Sequence, residues 1–342
     1  EWAGTMNLTE PQAGTDLALL KSRAVRDGDQ YRITGQKIFI TYGEQDFTEN
    51  IVHLVLARLP DAPPGVKGIS LFLVPKFLVN EDGSLGERND VTAVNLEHKL
   101  GIHASPTCVM AYGDTDGAVG YLIGEEHDGL RCMFTMMNNA RLNVGLQGVA
   151  VGERAYQRAV EFAKTRVQSA PVSGGSESVT IIQHPDVRRM LMMMRTQVEA
   201  MRALTYYANS ALDVSRHHGD EDVRRTNHAR MDLLTPVVKA WCTDLGVDIA
   251  SMGVQVHGGM GFIEETGAAQ YLRDSRIAPI YEGTNGIQAI DLLGRKLLRD
   301  GGGAMGDLLD EMAQVDADLL ATQDADCAAV QRSLAEGRAA LR

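Results

Sequence analysis

Near residue 129 the chain changes texture, and that change limits the architectures open to it more than any single motif does. Up to about residue 125, short apolar runs are punctuated by Gly, Pro and Asp. Asp27-Gly28-Asp29 reads as a hairpin turn and is followed by the alternating Tyr31-Arg32-Ile33-Thr34-Gly35. Runs at 51–57 and 69–75 are β-type and are split by the loop-like Asp61-Ala62-Pro63-Pro64-Gly65, while 80–88 reads as an exposed polar loop. Beyond residue 129 Gly and Pro thin out, and Leu142, Val149, Ala155, Ala159 and Phe162 recur at helical spacing. Two further helical stretches are expected at about 185–216 and 222–256, after a loop at 170–176. Strands first and helices afterwards define an α+β chain. The expected organisation is a barrel- or sandwich-like β-domain over 1–126, an all-α four-helix bundle over 127–300, and an acidic amphipathic helix over 301–342 that opens a further domain.

Composition excludes several partners. A formal charge of -12 in 342 residues disfavours nucleic acid or an anionic membrane surface, since both reward clustered Lys and Arg. No stretch approaches the roughly 18 apolar residues of a membrane span. Cys108, Cys132, Cys242 and Cys327 are scattered, without metal-type spacing, and suit buried thiols in a reducing compartment such as the cytoplasm. The Met192-Met193-Met194 run reads as adaptable core filling, and His217-His218-Gly219-Asp220 as a solvated turn. One carboxylate stands out: Glu282 lies between the apolar Ile277-Ala278-Pro279-Ile280 and a Gly283-Thr284-Asn285-Gly286 turn. At the end of a helix and partly desolvated, such a group gains a raised pKa and can take a proton from carbon.

Four segments carry a resemblance. Leu8-Thr9-Glu10-Pro11-Gln12-Ala13-Gly14-Thr15-Asp16, Lys37-Ile38-Phe39-Ile40-Thr41-Tyr42-Gly43, Gln255-Val256-His257-Gly258-Gly259-Met260-Gly261-Phe262 and Tyr281-Glu282-Gly283-Thr284 resemble, in order and spacing, the motifs of the flavin-dependent acyl-CoA dehydrogenases. The resemblance covers about residues 5–300 and is similar in wording to the larger bacterial members, including those acting on methylthiopropanoyl-CoA. It implies an N-terminal helical domain for which nothing here corresponds, so the chain is expected to be the central part of a longer polypeptide.

The implied reaction is α,β-dehydrogenation of an acyl-CoA, with FAD as cofactor and an electron-transfer flavoprotein as acceptor. Glu282 would be the base; the other position used in the family matches Ala140, which cannot accept a proton. The same resemblance assigns Leu8, Thr9, Phe39, Thr41, Arg166, Gln255, Gly258, Gly259 and Thr284 to FAD, with Phe39 standing where Trp is usual. Arg166 would reach a neighbour's cofactor in a homodimer or homotetramer. Thr15, Asn138, Arg141 and Gly283 are assigned to substrate, although Arg141 also reads as an interior Arg paired with a carboxylate. His98 to Thr107 reads as structural support for the β-domain. Met133, Met136 and Met137 lie on a helix whose side chains face the acyl tail in the resembled family, but at helical spacing plain packing is the favoured reading of them. An acyl-CoA oxidase and a flavin-bearing DNA-protective protein on the same scaffold are the alternative readings.

Overall fold

Residues 1–322 and 324–341 are described by the computed structural model, which divides into two compact units, Glu1–Asn139 and Ala140–Arg342. The first is built on the strands β1 (Trp2–Asn7), β2 (Arg23–Asp27), β3 (Gln30–Thr41), β4 (Asn50–Arg58), β5 (Ile69–Pro75), β6 (Phe77–Val79), β7 (Leu85–Arg88), β8 (Val91–Leu96), β9 (Thr107–Tyr112) and β10 (Ala118–Ile123). The main sheet runs β1-β4-β5-β10-β3-β9-β8, with β1 parallel to β4. β2 pairs along β3 and meets β4 at Arg23 and Arg58, so β4, β5, β10, β3 and β2 close on themselves. That closure gives the barrel character expected from many short strands. Ala24, Ile33, Val55, Phe72, Val74 and Tyr112 fill its core. Asn80 to Arg88 is more than a loop: β6 and β7 form a hairpin there, turned by Asn80–Ser84 backbone pairing and by Asp82, whose carboxylate accepts from Ser84. The polar composition concealed two three-to-four-residue strands.

Helix α1 (Gly129–Thr165) starts in the first unit and runs on into the second. Met133, fully buried, packs there with Leu56, Ile69 and Leu71, and Met136 and Met137 lie against the same cluster. Packing is therefore what Met133 does in the structure, rather than lining a pocket.

The second unit contains the rest of α1, α2 (Pro185–His217), α3 (Glu221–His257), α4 (Ala268–Ser275), α5 (Asn285–Asp291), α6 (Gly303–Ala321) and α7 (Ala325–Leu341). Leu142, Val149, Met194, Val198, Met201, Val238 and Ile249 form its core. α1 and α3 cross closely: a Cβ on Gly148 would lie 2.2 Å from the Cys242 carbonyl oxygen, so only Gly permits this approach. Of the Met192–Met194 run only Met194 enters the core; Met192 is exposed. His218 and Asp220 cap α2 and α3, Asp220 accepting from the Asp222 and Val223 amides. The tail is two helices and not one, because Asp324 caps α7 by accepting from Asp326 and Cys327, and Arg338 and Gln331 both reach Asp316 at 2.6 Å. α6 docks through Glu311, which accepts from Tyr207 at 2.9 Å and pairs with Arg230 at 2.7 Å.

Candidate active site

Within the β unit, Thr9 and the bulged strand β3 come together. The Ile38 amide donates to the Thr9 carbonyl at 2.9 Å, and the β3–β9 register slips between Lys37 and Ile40. At that bulge Phe39 takes φ 62° and is 59% exposed, an uncommon backbone for an aromatic and an uncommon place for its surface. Beneath it, Lys37 and Glu10 are buried and paired at 2.8 Å; Lys37 Nζ also donates to the Leu8 carbonyl at 3.1 Å. Leu8 and Thr9 are thus tied to β3 by backbone and side chain. The Thr9 and Thr41 hydroxyls make no hydrogen bond to another described residue. Thr15 is exposed beside Asp16, which caps a short 3-10 turn, and Asn138 is half-buried. Lys99 donates to the Ser105 carbonyl at 2.7 Å and His103 bonds the Lys99 carbonyl oxygen, which makes 98–107 a self-braced loop.

In the helical unit, α3 stops because Gly258 takes φ 59°. His257 stacks on Phe162 with ring centroids 4.5 Å apart, bringing this turn beside the end of α1, where Arg166 is exposed and donates to Gln168 at 3.3 Å. Gln255 is exposed, and Gly259 has neither a positive φ nor an atom within 4 Å of where its Cβ would be. Nothing among the described residues requires glycine at 259. Gly261 differs: its Cβ would strike the Val254 carbonyl oxygen at 2.3 Å.

Glu282 does not sit at a helix end. α4 closes at Ser275, Pro279 prevents its resumption, and Glu282 lies in the loop before α5. Two consecutive residues are left-handed there, Glu282 at φ 55° and Gly283 at φ 83°. Strain of about 1 kcal/mol or more at Glu282 persists only if its surroundings over-determine it. Several contacts do so. Thr284 caps α5, the Asn285 amide donates to the Pro279 carbonyl at 3.1 Å, and Gln288 Nε2 donates to the Gly283 carbonyl at 3.0 Å. A Cβ on Gly283 would lie 2.8 Å from Gln288 Nε2 and 3.4 Å from Arg141 Nη2. Tyr281 hydrogen-bonds to Gln147 of α1.

Burial raises the Glu282 carboxyl above the ordinary carboxylate value, and the Arg141 and Lys239 charges only partly offset it. The Glu282 amide N–H makes no hydrogen bond to another described residue. Arg141, 3% exposed, pairs with the equally buried Asp291 at 3.0 Å, the interior ion pair that its sequence context left open. Asp291 also meets Arg295 at 3.4 Å across a π-helical turn, Leu292–Leu297. Sequence reading missed Lys239, Asn285, Gln288 and Asp291. Lys239 is buried and donates to Asn285 Oδ1 at 3.0 Å. Its signal was a single cation inside the apolar Pro236-Val237-Val238-Lys239-Ala240-Trp241-Cys242.

The helical unit thus holds a half-buried carboxylate whose pKa is raised, and the β unit holds an exposed aromatic on a strained bulge. Residues 5–115 match the model of the acyl-CoA dehydrogenase middle domain, and residues 127–298 that of the acyl-CoA dehydrogenase C-terminal domain. The chain belongs to the acyl-CoA dehydrogenase family, flavoprotein oxidoreductases of fatty-acid β-oxidation. It is 55% identical over 342 residues to 3-methylmercaptopropionyl-CoA dehydrogenase of Ruegeria pomeroyi, covering 99% of this chain and 57% of that one. Over 304 residues it is 43% identical to a butyryl-CoA dehydrogenase of Syntrophomonas wolfei, covering 86% of this chain and 50% of that one. Caenorhabditis elegans ACDH-11, solved in complex with C11-CoA, is similar at a TM-score of 0.76 and 27% identity, over 91% of this chain and 50% of that one. The chain therefore spans about half the length of the relatives it matches. Among the described residues no helix is long and apolar enough to cross a membrane.

Proposed function

We propose that this chain supplies the catalytic base and much of the cofactor site of an FAD-dependent acyl-CoA dehydrogenase, forming trans-2-enoyl-CoA. One observation carries the reading: Glu282 combines a carboxyl raised by burial with a left-handed backbone whose own N–H has no hydrogen-bond partner among the described residues. The carboxylate removes the α-proton. Its N–H is free to donate to the thioester oxygen as enolate charge grows, the moment at which a fixed donor contributes most. FAD held here would supply the acceptor for the β-hydride, and loss of its visible absorbance would report the transfer. The residues present fit that group. Phe39 offers an exposed ring, Thr9 and Thr41 offer unengaged hydroxyls, Leu8 is held beside them by Lys37, and Gly259 leaves backbone open to a close approach. Gln255, Gly258, Arg166 and Thr284 complete the proposed FAD set, and Thr15, Asn138, Arg141 and Gly283 the proposed substrate set. Buried against Asp291, Arg141 would act on substrate chiefly through its charge near Glu282.

Electrons would pass to an electron-transfer flavoprotein, from a homodimer or homotetramer whose neighbour meets Arg166. The relative named for 3-methylmercaptopropionyl-CoA makes a short thioether acyl-CoA the first substrate to test, and butyryl-CoA the second. The experiment is anaerobic flavin bleaching by this panel in the FAD-loaded enzyme. Glu282→Gln should keep FAD and slow bleaching at least about a thousandfold. Near-normal bleaching by that variant would remove Glu282 from the role, and stoichiometric peroxide at the turnover rate would make the enzyme an oxidase.

A further inference from the structure

Lys239 is the one buried ammonium around Glu282 that the chemistry above leaves unused. Its side chain is fully buried on α3, and among the described residues it pairs with no carboxylate. Burying an unpaired cation is costly enough that chains rarely keep one without a use. Arg141 is a different case, because Asp291 lies 3.0 Å from it and offsets its charge.

Among the described residues the single side-chain acceptor of Lys239 is Asn285 Oδ1, at 3.0 Å. The other end of the Asn285 amide donates to Asp244 Oδ1 at 2.8 Å, to Thr243 Oγ1 at 3.0 Å and to the Ala240 carbonyl at 3.1 Å. With an ammonium on one side and a carboxylate on the other, the amide has one satisfactory orientation: oxygen to Lys239, nitrogen to Asp244. Asn285 stands three residues after Glu282, and its backbone N–H closes the loop onto Pro279. α3 therefore grips the strained loop through this one side chain. The Lys239 ammonium can only donate, so it reinforces from the oxygen end the orientation that Asp244 and the Ala240 carbonyl set from the nitrogen end.

We propose that Lys239 is a positioning residue for the base: it fixes the Glu282 loop to α3 through Asn285 and holds near that loop a positive charge that is ion-paired with no carboxylate among the described residues. The inference rests on the reading of Glu282 as the base. The charged groups around it are Asp244 on its own helix, Arg141 from α1 with Asp291 and Arg295 behind it, and Glu282 itself. From α2 and α6, Arg202 and Glu311 are engaged with Glu153 and Arg230. Burial pushes the Lys239 ammonium down to about 8 against the pull of Asp244 and Glu282, so it remains charged at neutral pH.

Two variants and two readouts test this. Lys239→Met keeps the volume and removes the charge. Lys239→Gln removes the charge but keeps a donor within reach of Asn285 Oδ1. Both should move the acid limb of kcat/KM for flavin reduction upwards by about half a unit to one unit, with little change in KM. The same upward shift should appear without substrate, in an infrared titration of the Glu282 carboxyl band identified by its loss in Glu282→Gln. A Lys239 that only packs would lower the rate at every pH and leave both midpoints in place, and that result overturns the proposal. Should Lys239→Met fail to fold, Lys239→Gln decides alone. Wild-type enzyme that no acyl-CoA bleaches would instead refute the proposed reaction, while the infrared midpoint would still report on Lys239.

Discussion

Replacing Lys37 with Met removes one half of an ion pair that nothing else in the β unit can replace. Glu10 is 3% exposed and accepts from Gln12 Nε2 at 2.6 Å, the Lys21 amide at 2.7 Å, the Ser22 amide at 3.0 Å, Ser22 Oγ at 2.6 Å and Lys37 Nζ at 2.8 Å. Without Lys37 a buried carboxylate keeps its neutral donors and loses its cation. Breaking a buried pair costs about 3–5 kcal/mol, and the surviving donors put this case near the lower end, about 3 kcal/mol. Loss of the bond to the Leu8 carbonyl adds about 1 kcal/mol and loosens the segment proposed to meet the flavin.

The measurement is urea unfolding of the 342-residue chain followed by Trp2 fluorescence in a Trp241→Phe background, so that the β unit reports alone. Lys37→Met/Glu10→Gln should recover at least half of the loss, because it removes the stranded charge. A Lys37→Met cost below about 1 kcal/mol, or a double variant no better than the single one, would refute this account of the pair.

The pH dependence follows with a definite sign. Burial alone would raise the Glu10 carboxyl; the charge and hydrogen bond of Lys37, with those from Ser22 and Lys21, outweigh it and hold it at about 2. A depressed carboxylate contributes stability above its unfolded value, near 4.5, and loses it as pH falls towards 2. Lys37 has fewer partners, and burial brings its ammonium down to about 8 despite Glu10. Because the unfolded chain keeps that proton up to about 10.5, the wild type should gain stability over Lys37→Met as pH rises from about 8 to about 10.5.

Two further outcomes follow from the same reasoning. Because burial raises the Glu282 carboxyl, kcat/KM should rise with pH along a limb above the ordinary carboxylate value. Folding stability should fall over that same window, since the native state binds this proton more tightly than the unfolded chain; Glu282→Gln should thus be less active yet more stable at neutral pH, which paired rate and melting measurements check. Met133→Ala should cost about 2–5 kcal/mol in the β-unit transition while leaving the ranking of acyl-CoA chain lengths unchanged, as expected of a core residue. A changed ranking without loss of stability would return Met133 to the substrate pocket.

What was legible in the sequence was what local periodicity determines. The apolar repeat of 142, 149, 155 and 159 marks α1, and the Pro-Gly loop at 61–65 separates β4 from β5, because both signals arise from residues close in the chain. Legibility failed where polar turn chemistry overrode composition, at the β6–β7 hairpin and at the Asp324 cap between α6 and α7. It failed again where a residue's role depends on another helix. Lys239 becomes meaningful only because glycines let α1 and α3 cross closely and because Asn285 reaches back to α3. The left-handed backbone at Phe39 and at Glu282 is the sharpest instance: no local preference of Phe or Glu selects it, and each occurs in a segment gripped from elsewhere, by β9 and Thr9 in one unit and by Lys239, Gln288 and Arg141 in the other. Strain of that kind survives only where tertiary contacts enforce it, and the two positions where this chain keeps it on functional side chains are the proposed flavin face and the proposed base.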